Sequence, residues 1–330
     1  MSGVVKLVDI AECPTPEQLA ASIKHAMQEQ GFLFIKNHGL ERQVEDLFAV
    51  SQDFFHNETE TEKQRCAYAN NRGYTKVSQE TLDPTKPAPD LKEGFNVGFI
   101  QPGSPPQPSH PLPSTFAENV AQLCQFQLDC FNFCQRLLEA FAIILDLETS
   151  FFTRAHVHDE NDVSILRFLH YPEVPAGKQV DPNRAGAHSD YGSLTLLFQR
   201  KNGGEGLQIL PSTEPIDSPD SAWQDTGLVE GALLVNIGDA LELWSGAKFK
   251  STLHRVRLPT PLPQQGIPER FSIAWFNQPA PQASLKTVVP TSQITEHDMQ
   301  RMERKGVKAG TELTASEHLQ ARLASTYKLS

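Results

Sequence analysis

His188-Ser-Asp-Tyr-Gly-Ser-Leu-Thr-Leu-Leu-Phe198 sets two metal-ligand side chains directly before a short apolar run. His188 and Asp190 are one residue apart, so on extended chain both point to the same side. Gly186 and Gly192 flank the pair and permit close approach of neighbouring backbone. Ser193–Phe198 then reads as a strand. Similar runs recur at Ser164–Tyr171, Leu207–Leu210, Ala232–Ile237, Lys250–Arg257 and Arg270–Phe276, each broken by Gly, Pro, Asn or Asp. Short strands at close spacing with turn signals predict a sandwich or barrel, of which a double-sheet jelly roll is one solution.

Helical patterns lie around this β-rich stretch. Residues 3–9 read as a short strand and Pro16–Gln30 as a helix, with Thr15 as N-cap, Pro16 at the first helical position and Gly31 as the stop. Phe32–Ile35 reads as a buried strand, and a second helix is predicted over Glu41–Phe55. The Pro-rich segment 101–114 excludes helix and central strand and reads as a connector. A long helix is predicted from Ser114 to Leu147, with Leu123, Phe126, Cys130, Phe133, Leu137 and Phe141 near helical spacing. A last helix is predicted over Ala315–Tyr327. The expected organisation is an N-terminal region of mixed α/β character, residues 1–113. Residues 114–330 then form the long helix, the β-rich core and the C-terminal helix, packed as one unit.

Bulk properties narrow the function. The 330 residues carry a net charge of −11, which opposes binding to phosphate backbones, and no basic patch offsets it. No apolar run approaches the roughly 18 residues of a membrane helix, and the N-terminus lacks a charged-then-apolar leader. A cytoplasmic protein with a small-molecule substrate, and neither a nucleic-acid nor a membrane partner, is expected. The five cysteines form no CxxC pair, which argues against a disulfide framework. Cys130 and Cys134 read as buried small hydrophobes.

His254 lies in the extended segment Ser251–Pro259 and can complete a triad with His188 and Asp190 from across a pair of sheets. Two histidines and one carboxylate are the ligand set of a mononuclear non-haem iron site with open coordination positions. The absence of cysteine ligands disfavours structural zinc. Arg270 and Ser272 share one face of a predicted strand, while Phe271, Ile273 and Trp275 take the other. A guanidinium fork beside a hydroxyl suits a carboxylate.

Eight segments appear in one order: Gly31-Phe-Leu-Phe-Ile-Lys-Asn-His-Gly39, Arg72-Gly-Tyr74, Asp90-Leu-Lys-Glu-Gly-Phe95, His188–Leu197, Gly204-Glu-Gly-Leu-Gln208, Val235-Asn-Ile-Gly-Asp239, Lys250-Ser-Thr-Leu-His-Arg-Val256 and Arg270-Phe-Ser272. In these segments the chain resembles the isopenicillin N synthase-like branch of the Fe(II)/2-oxoglutarate-dependent dioxygenases. The resemblance implies a mainly β fold with flanking helices: a distorted double-stranded β-helix (jelly-roll) core with a helical N-terminal region. It implies Fe(II) held by the catalytic residues His188, Asp190 and His254. It further implies 2-oxoglutarate as co-substrate, its far carboxylate on Arg270, Ser272 and Tyr171, and O2 as oxidant. The implied oxidoreductase hydroxylates or desaturates a small organic substrate and releases succinate and CO2.

An alternative stays open, because the branch's namesake uses a similar Arg/Ser pair for its substrate and needs no 2-oxoglutarate. Many plant-type relatives carry asparagine where this chain has Leu169, which lends that oxidase or cyclase reading some support. Candidate substrate residues are Tyr74, Asn96, Phe99, Phe168 and Phe276; Tyr74 and Phe99 read equally well as packing aromatics. Asp90, Lys92 and Glu93 read as a local salt-bridge group, and Arg72 and Arg184 as solvated loop arginines.

Overall fold

The computed structural model describes residues 4–83, 88–200, 205–215, 217–305 and 311–326. The N-terminal part runs β1 (Lys6–Asp9), α1 (Pro16–Glu29), β2 (Phe32–Lys36), α2 (Glu41–Asn57), α3 (Glu60–Arg65), β3 (Gly73–Thr75) and β4 (Glu93–Val97). A small hairpin, β5 (Ile100–Gln101) with β6 (Gln107–Pro108), leads into α4 (Ser114–Glu118) and α5 (Val120–Ile144). Then follow β7 (Ile165–Tyr171), β8 (Asn183–His188), β9 (Leu194–Gln199), β10 (Leu207–Ile209), β11 (Gln224–Asp225) and β12 (Leu233–Ile237). The chain closes with α6 (Asp239–Trp244), β13 (His254–Arg257), β14 (Arg270–Asn277), α7 (Glu296–Arg304) and α8 (Ala315–Thr326).

The strands form a sheet of eight, ordered β1-β2-β12-β9-β14-β7-β4-β3, and a sheet of four, ordered β11-β10-β13-β8. N-terminal strands extend the large sheet at both edges, so the two halves of the chain share one sheet. Period-two alternation gives that sheet two unlike faces. On β7 and β14, Leu166, Phe168, Phe271, Ile273 and Trp275 join the core cluster that includes Phe126, Cys130, Phe133, Cys134 and Leu137 of α5. The opposite face, with Arg167, Leu169, Tyr171, Arg270 and Ser272, lines a cleft that the small sheet also walls.

Local signals explain most boundaries. Thr15 and Gln18 form a reciprocal capping box ahead of α1. The single helix expected over 114–147 is two helices. The Asn119 side chain donates to the Thr115 carbonyl at 2.8 Å, competing with the helical ladder at the break. Asp146, at φ 55, stops α5 before Leu147. The strand expected from Lys250 begins only at His254. Residues 250–252 are anchored by side chains instead: Lys250 to Asp298, Ser251 to Asp239, and Thr252 to the Gln30 carbonyl. Gly204 and Tyr327 lie outside the described residues.

His156 ties the helical layer to the strand that follows the HxD segment. Its Nδ1 donates to the Phe152 carbonyl at 2.8 Å and its Nε2 accepts from the Ser193 hydroxyl at 2.9 Å. That pairing requires a neutral ring. Burial pushes His156 from its ordinary 6.5 down to about 4. The unfolded chain therefore binds the extra proton first as the pH falls. This contribution to stability is intact above pH 6.5 and lost toward pH 4, with a slope of about 1.4 kcal/mol per pH unit. His156→Gln is expected to flatten the acid limb in that window by about that slope. Urea unfolding at a series of fixed pH values checks it, and an unchanged slope counts against the assignment.

Candidate active site

The sequence-predicted triad is assembled. His188 ends β8 and pairs in register with His254 at the start of β13. Their ring centroids are 4.3 Å apart. Asp190 Oδ1 lies 3.9 Å from His188 Nε2 and 3.7 Å from His254 Nε2. Each imidazole donates its Nδ1–H to a backbone carbonyl, His188 to Gly186 at 2.8 Å and His254 to Thr252 at 3.1 Å. Both Nε2 lone pairs are thereby turned toward Asp190, which is how metal-bound histidines are usually oriented.

Asp190 reaches across to the large sheet. Its Oδ2 accepts from the Thr195 hydroxyl at 2.6 Å and the Asn236 amide at 2.7 Å, while Oδ1 faces the histidines. Burial opposes its charge, but the two imidazoles and these hydrogen bonds hold the carboxyl below its ordinary range. Burial, then the neighbouring His254, pushes His188 down to about 3, so its ring is neutral near pH 7. One carboxylate and two imidazoles, with no thiolate, fit Fe(II). The flanking glycines have steric work: a side-chain carbon on Gly186 would meet Asp83 backbone at 2.7 Å, and one on Gly192 the Asn277 carbonyl at 2.6 Å.

The expected carboxylate clamp lies in the same cleft. Arg270 is 1% exposed, donates to Ser272 Oγ at 3.3 Å, and stacks over Tyr171 at 4.7 Å. Its register partner on β7 is Tyr171. Among the described residues no carboxylate pairs with Arg270, and its Nε has no hydrogen-bond partner. A guanidinium buried in that state calls for an anionic ligand. Arg184 corrects its reading as a solvated loop residue. It is buried against the Tyr171 ring and donates to the Tyr171 and Pro172 carbonyls. Burial, then the charge on Arg270, pushes it down to about 10. Arg72 is likewise half-buried.

The cleft encloses about 1060 Å³ of space, counting its open mouth. Of the five substrate candidates, Asn96 and Phe276 line it. The other three are corrected. Phe168 packs against Phe116 in the core, because it is an odd number of residues from Tyr171 and so faces the opposite side of β7. Tyr74 is buried against Phe54 and donates to Glu93. Phe99 packs edge-on to His158.

Lining residues not anticipated include Arg167, Asn71, and Leu319 and Leu323 of α8. Parity along β7 would have flagged Arg167; nothing local flags the leucines. The expected salt-bridge group is buried: Lys92 pairs with Asp90 at 2.7 Å and Glu80 at 3.0 Å, and Arg167 with Glu80 at 2.7 Å. Asp90 also accepts from the Gly186 amide at 2.9 Å, bracing β8 two residues before His188. Glu93 faces the other way, toward His170.

Residues 5–119 match the family described as the non-haem dioxygenase in morphine synthesis N-terminal region, and 161–279 match the 2OG-Fe(II) oxygenase superfamily. The chain is 33% identical to the UPF0676 protein C1494.01 of Schizosaccharomyces pombe, over 98% of this chain and 92% of that protein. It is 31% identical to the proline hydroxylase buaE of Petromyces alliaceus, over 94% and 95% of the two chains. The chain belongs to the 2-oxoglutarate-Fe(II) oxygenase superfamily.

Among solved structures, a full-length Neurospora crassa protein in complex with alpha-KG (2-oxoglutarate) and thymine superposes with a TM-score of 0.76. It is 27% identical, over 97% of this chain and 96% of that one. A putative 2OG-Fe(II) oxygenase from Caulobacter crescentus gives the same TM-score at 26% identity, over 98% and 100%. As a member of this superfamily the protein is an oxidoreductase with a jelly-roll core that uses Fe(II), 2-oxoglutarate and O2. It acts on a small organic molecule. These relatives do not favour the oxidase alternative. Among the described residues, no helix is long and apolar enough to cross a membrane.

The Asp190 cradle is open to test. Thr195→Val, nearly isosteric, and Asn236→Ala each remove one donor to Oδ2. Each should weaken Fe(II) binding about 10- to 100-fold with the circular dichroism spectrum retained. Wild-type affinity in both variants, by anaerobic equilibrium dialysis, would contradict the role given to the cradle.

Proposed function

We propose that His188, Asp190 and His254 hold the iron and that Arg270, Ser272 and Tyr171 bind the far carboxylate of 2-oxoglutarate. The observation that carries this reading is the buried, uncompensated Arg270 guanidinium in the same cleft as the triad. The bound metal supplies oxygen activation. The protein's residues do the rest by positioning. Arg270 and Ser272 fix one end of the co-substrate so that its keto acid end reaches the triad. Tyr171 keeps the guanidinium plane in place by stacking, and Arg184 adds a second positive charge behind it. Apolar cleft residues, including Leu169, Leu197 and Leu323, limit water near the reacting carbon.

The substrate is read from the far wall. Asn96 Nδ2 donates to Asn71, while its buried Oδ1 lacks a partner among the described residues. That free acceptor suits a substrate N–H or O–H, as in an amide, a lactam or a nucleobase. Thymine and proline, which figure in the descriptions of two relatives above, are the first probes. The division at residues 113/114 belongs to the same reading and is supported by the helix that starts at Ser114, whereas the sheet that spans the boundary supports packing of both parts as one unit. So does a cytoplasmic setting, supported by five free, buried cysteines.

Two variants separate the roles. Asp190→Ala should lose stoichiometric iron and all substrate-dependent succinate release. Arg270→Lys should keep iron but raise the apparent KM for 2-oxoglutarate about tenfold or more, from loss of a charge-assisted hydrogen bond worth about 1.5–3 kcal/mol. An unchanged KM for 2-oxoglutarate in Arg270→Lys would remove the clamp from the reading. Asn96→Ala should raise the KM of the accepted probe and leave that of 2-oxoglutarate alone. The opposite pattern would reassign Asn96.

A further inference from the structure

On the outer face of the large sheet, away from the cleft, three further ligand-type side chains converge. His56 lies in the last turn of α2, His170 on β7, and Glu269 immediately before β14. Glu269 Oε2 is 2.8 Å from His56 Nε2 and 3.0 Å from His170 Nε2. The three donor atoms lie within 4.8 Å of one another. Neither the proposed function nor the core packing requires this convergence.

The bonding at His170 is unusual. Its Nδ1 is 2.7 Å from Glu93 Oε1, and Glu93 Oε2 accepts from the Tyr74 hydroxyl at 2.5 Å. Both nitrogens of one buried ring therefore face carboxylates. A neutral imidazole has a single N–H. With that N–H given to Glu93, Nε2 faces the Glu269 carboxylate, and the position between them takes either a second ring proton or a bound cation. A carboxylate on the far nitrogen is also the usual support of a metal-bound histidine.

We propose that His56, His170 and Glu269 form a second metal site, for a borderline divalent cation of the Zn2+ type, with Glu93 orienting His170. Two imidazoles and a carboxylate suit such an ion, leaving a fourth position to water. Tetrahedral coordination at bond lengths of about 2.0–2.1 Å separates donor atoms by about 3.3 Å. The present spacings of 2.8 and 3.0 Å need to open by only a few tenths of an ångström. His56 is exposed and Glu269 half-buried, so both can move. His170 is the fixed member, stacked on Phe271 with ring centroids 4.6 Å apart.

The position has a consequence for the cleft. His170 and Phe271 are register partners one residue from Tyr171 and Arg270, which are paired with each other. A metal bound by His170 and Glu269 pins the ends of β7 and β14 where the proposed co-substrate clamp is built.

Zn2+ uptake by the full chain, measured by equilibrium dialysis with elemental analysis, tests the proposal. Wild type should take up two equivalents and Asp190→Ala one. His56→Ala and Glu269→Gln should each keep only the equivalent that depends on Asp190. Glu93→Gln should weaken the second equivalent about 10- to 100-fold. Loss of the first equivalent alone would count against the triad, and loss of the second alone against this site. A single equivalent in wild type that is lost in Asp190→Ala, or two retained in both His56→Ala and Glu269→Gln, would overturn the proposal. The cluster would then be a hydrogen-bonded chain closed by an imidazolium.

Discussion

A buried carboxylate that must satisfy two sheets at once organises this molecule. Asp190 leaves the small sheet just after β8, yet Oδ2 is bonded to Thr195 and Asn236 of the large sheet. Its other oxygen faces His188 and His254 of the small sheet. Removing a carboxylate from water is expensive unless every lone pair finds a partner. Here Oδ2 finds its two donors on β9 and β12, while Oδ1 faces ring nitrogens from β8 and β13, so the geometry of the triad depends on how the two sheets pack. The glycines on either side matter for the same reason, since Gly186 and Gly192 let neighbouring backbone close on the turn.

Charge is distributed unevenly through the cleft. Near the triad, Lys92, Asp90, Glu80 and Arg167 neutralise one another in a buried network that also braces β8. At the other end, Arg270 and Arg184 flank Tyr171, and Arg270 has no carboxylate partner among the described residues. Under the proposed clamp, this uneven charge would orient a dianionic co-substrate with one carboxylate toward Arg270. The C-terminal helix contributes apolar cover through Leu319 and Leu323. It is held by Arg322 on Asp239, whose carboxylate also accepts from Ser189, between His188 and Asp190.

Much of this was legible in the sequence because the features are local. The HxD segment, the Arg270/Ser272 pair, the Thr15 cap and the apolar stripe of α5 each follow from short-range spacing. What escaped was set by tertiary context or by parity left unused. Phe168 reads as a rim residue until it is counted against Tyr171, three positions on, which faces the cleft; the alternation of β7 separates them. Arg184 reads as a loop arginine until β8 is seen to bury it against Tyr171. The break at Asn119 needs a side-chain hydrogen bond that periodicity does not show. The His56, His170 and Glu269 cluster joins residues up to 213 positions apart, with no local signal.

The measurement that bears most directly on the central claim is an anaerobic visible-absorption titration of the Fe(II)-loaded protein with 2-oxoglutarate. If the triad holds iron with adjacent open positions and Arg270 aligns the co-substrate toward it, a charge-transfer band grows in and saturates at one equivalent per chain. The band is absent in Asp190→Ala. Iron demonstrably bound to wild type with no band at saturating 2-oxoglutarate would contradict the account.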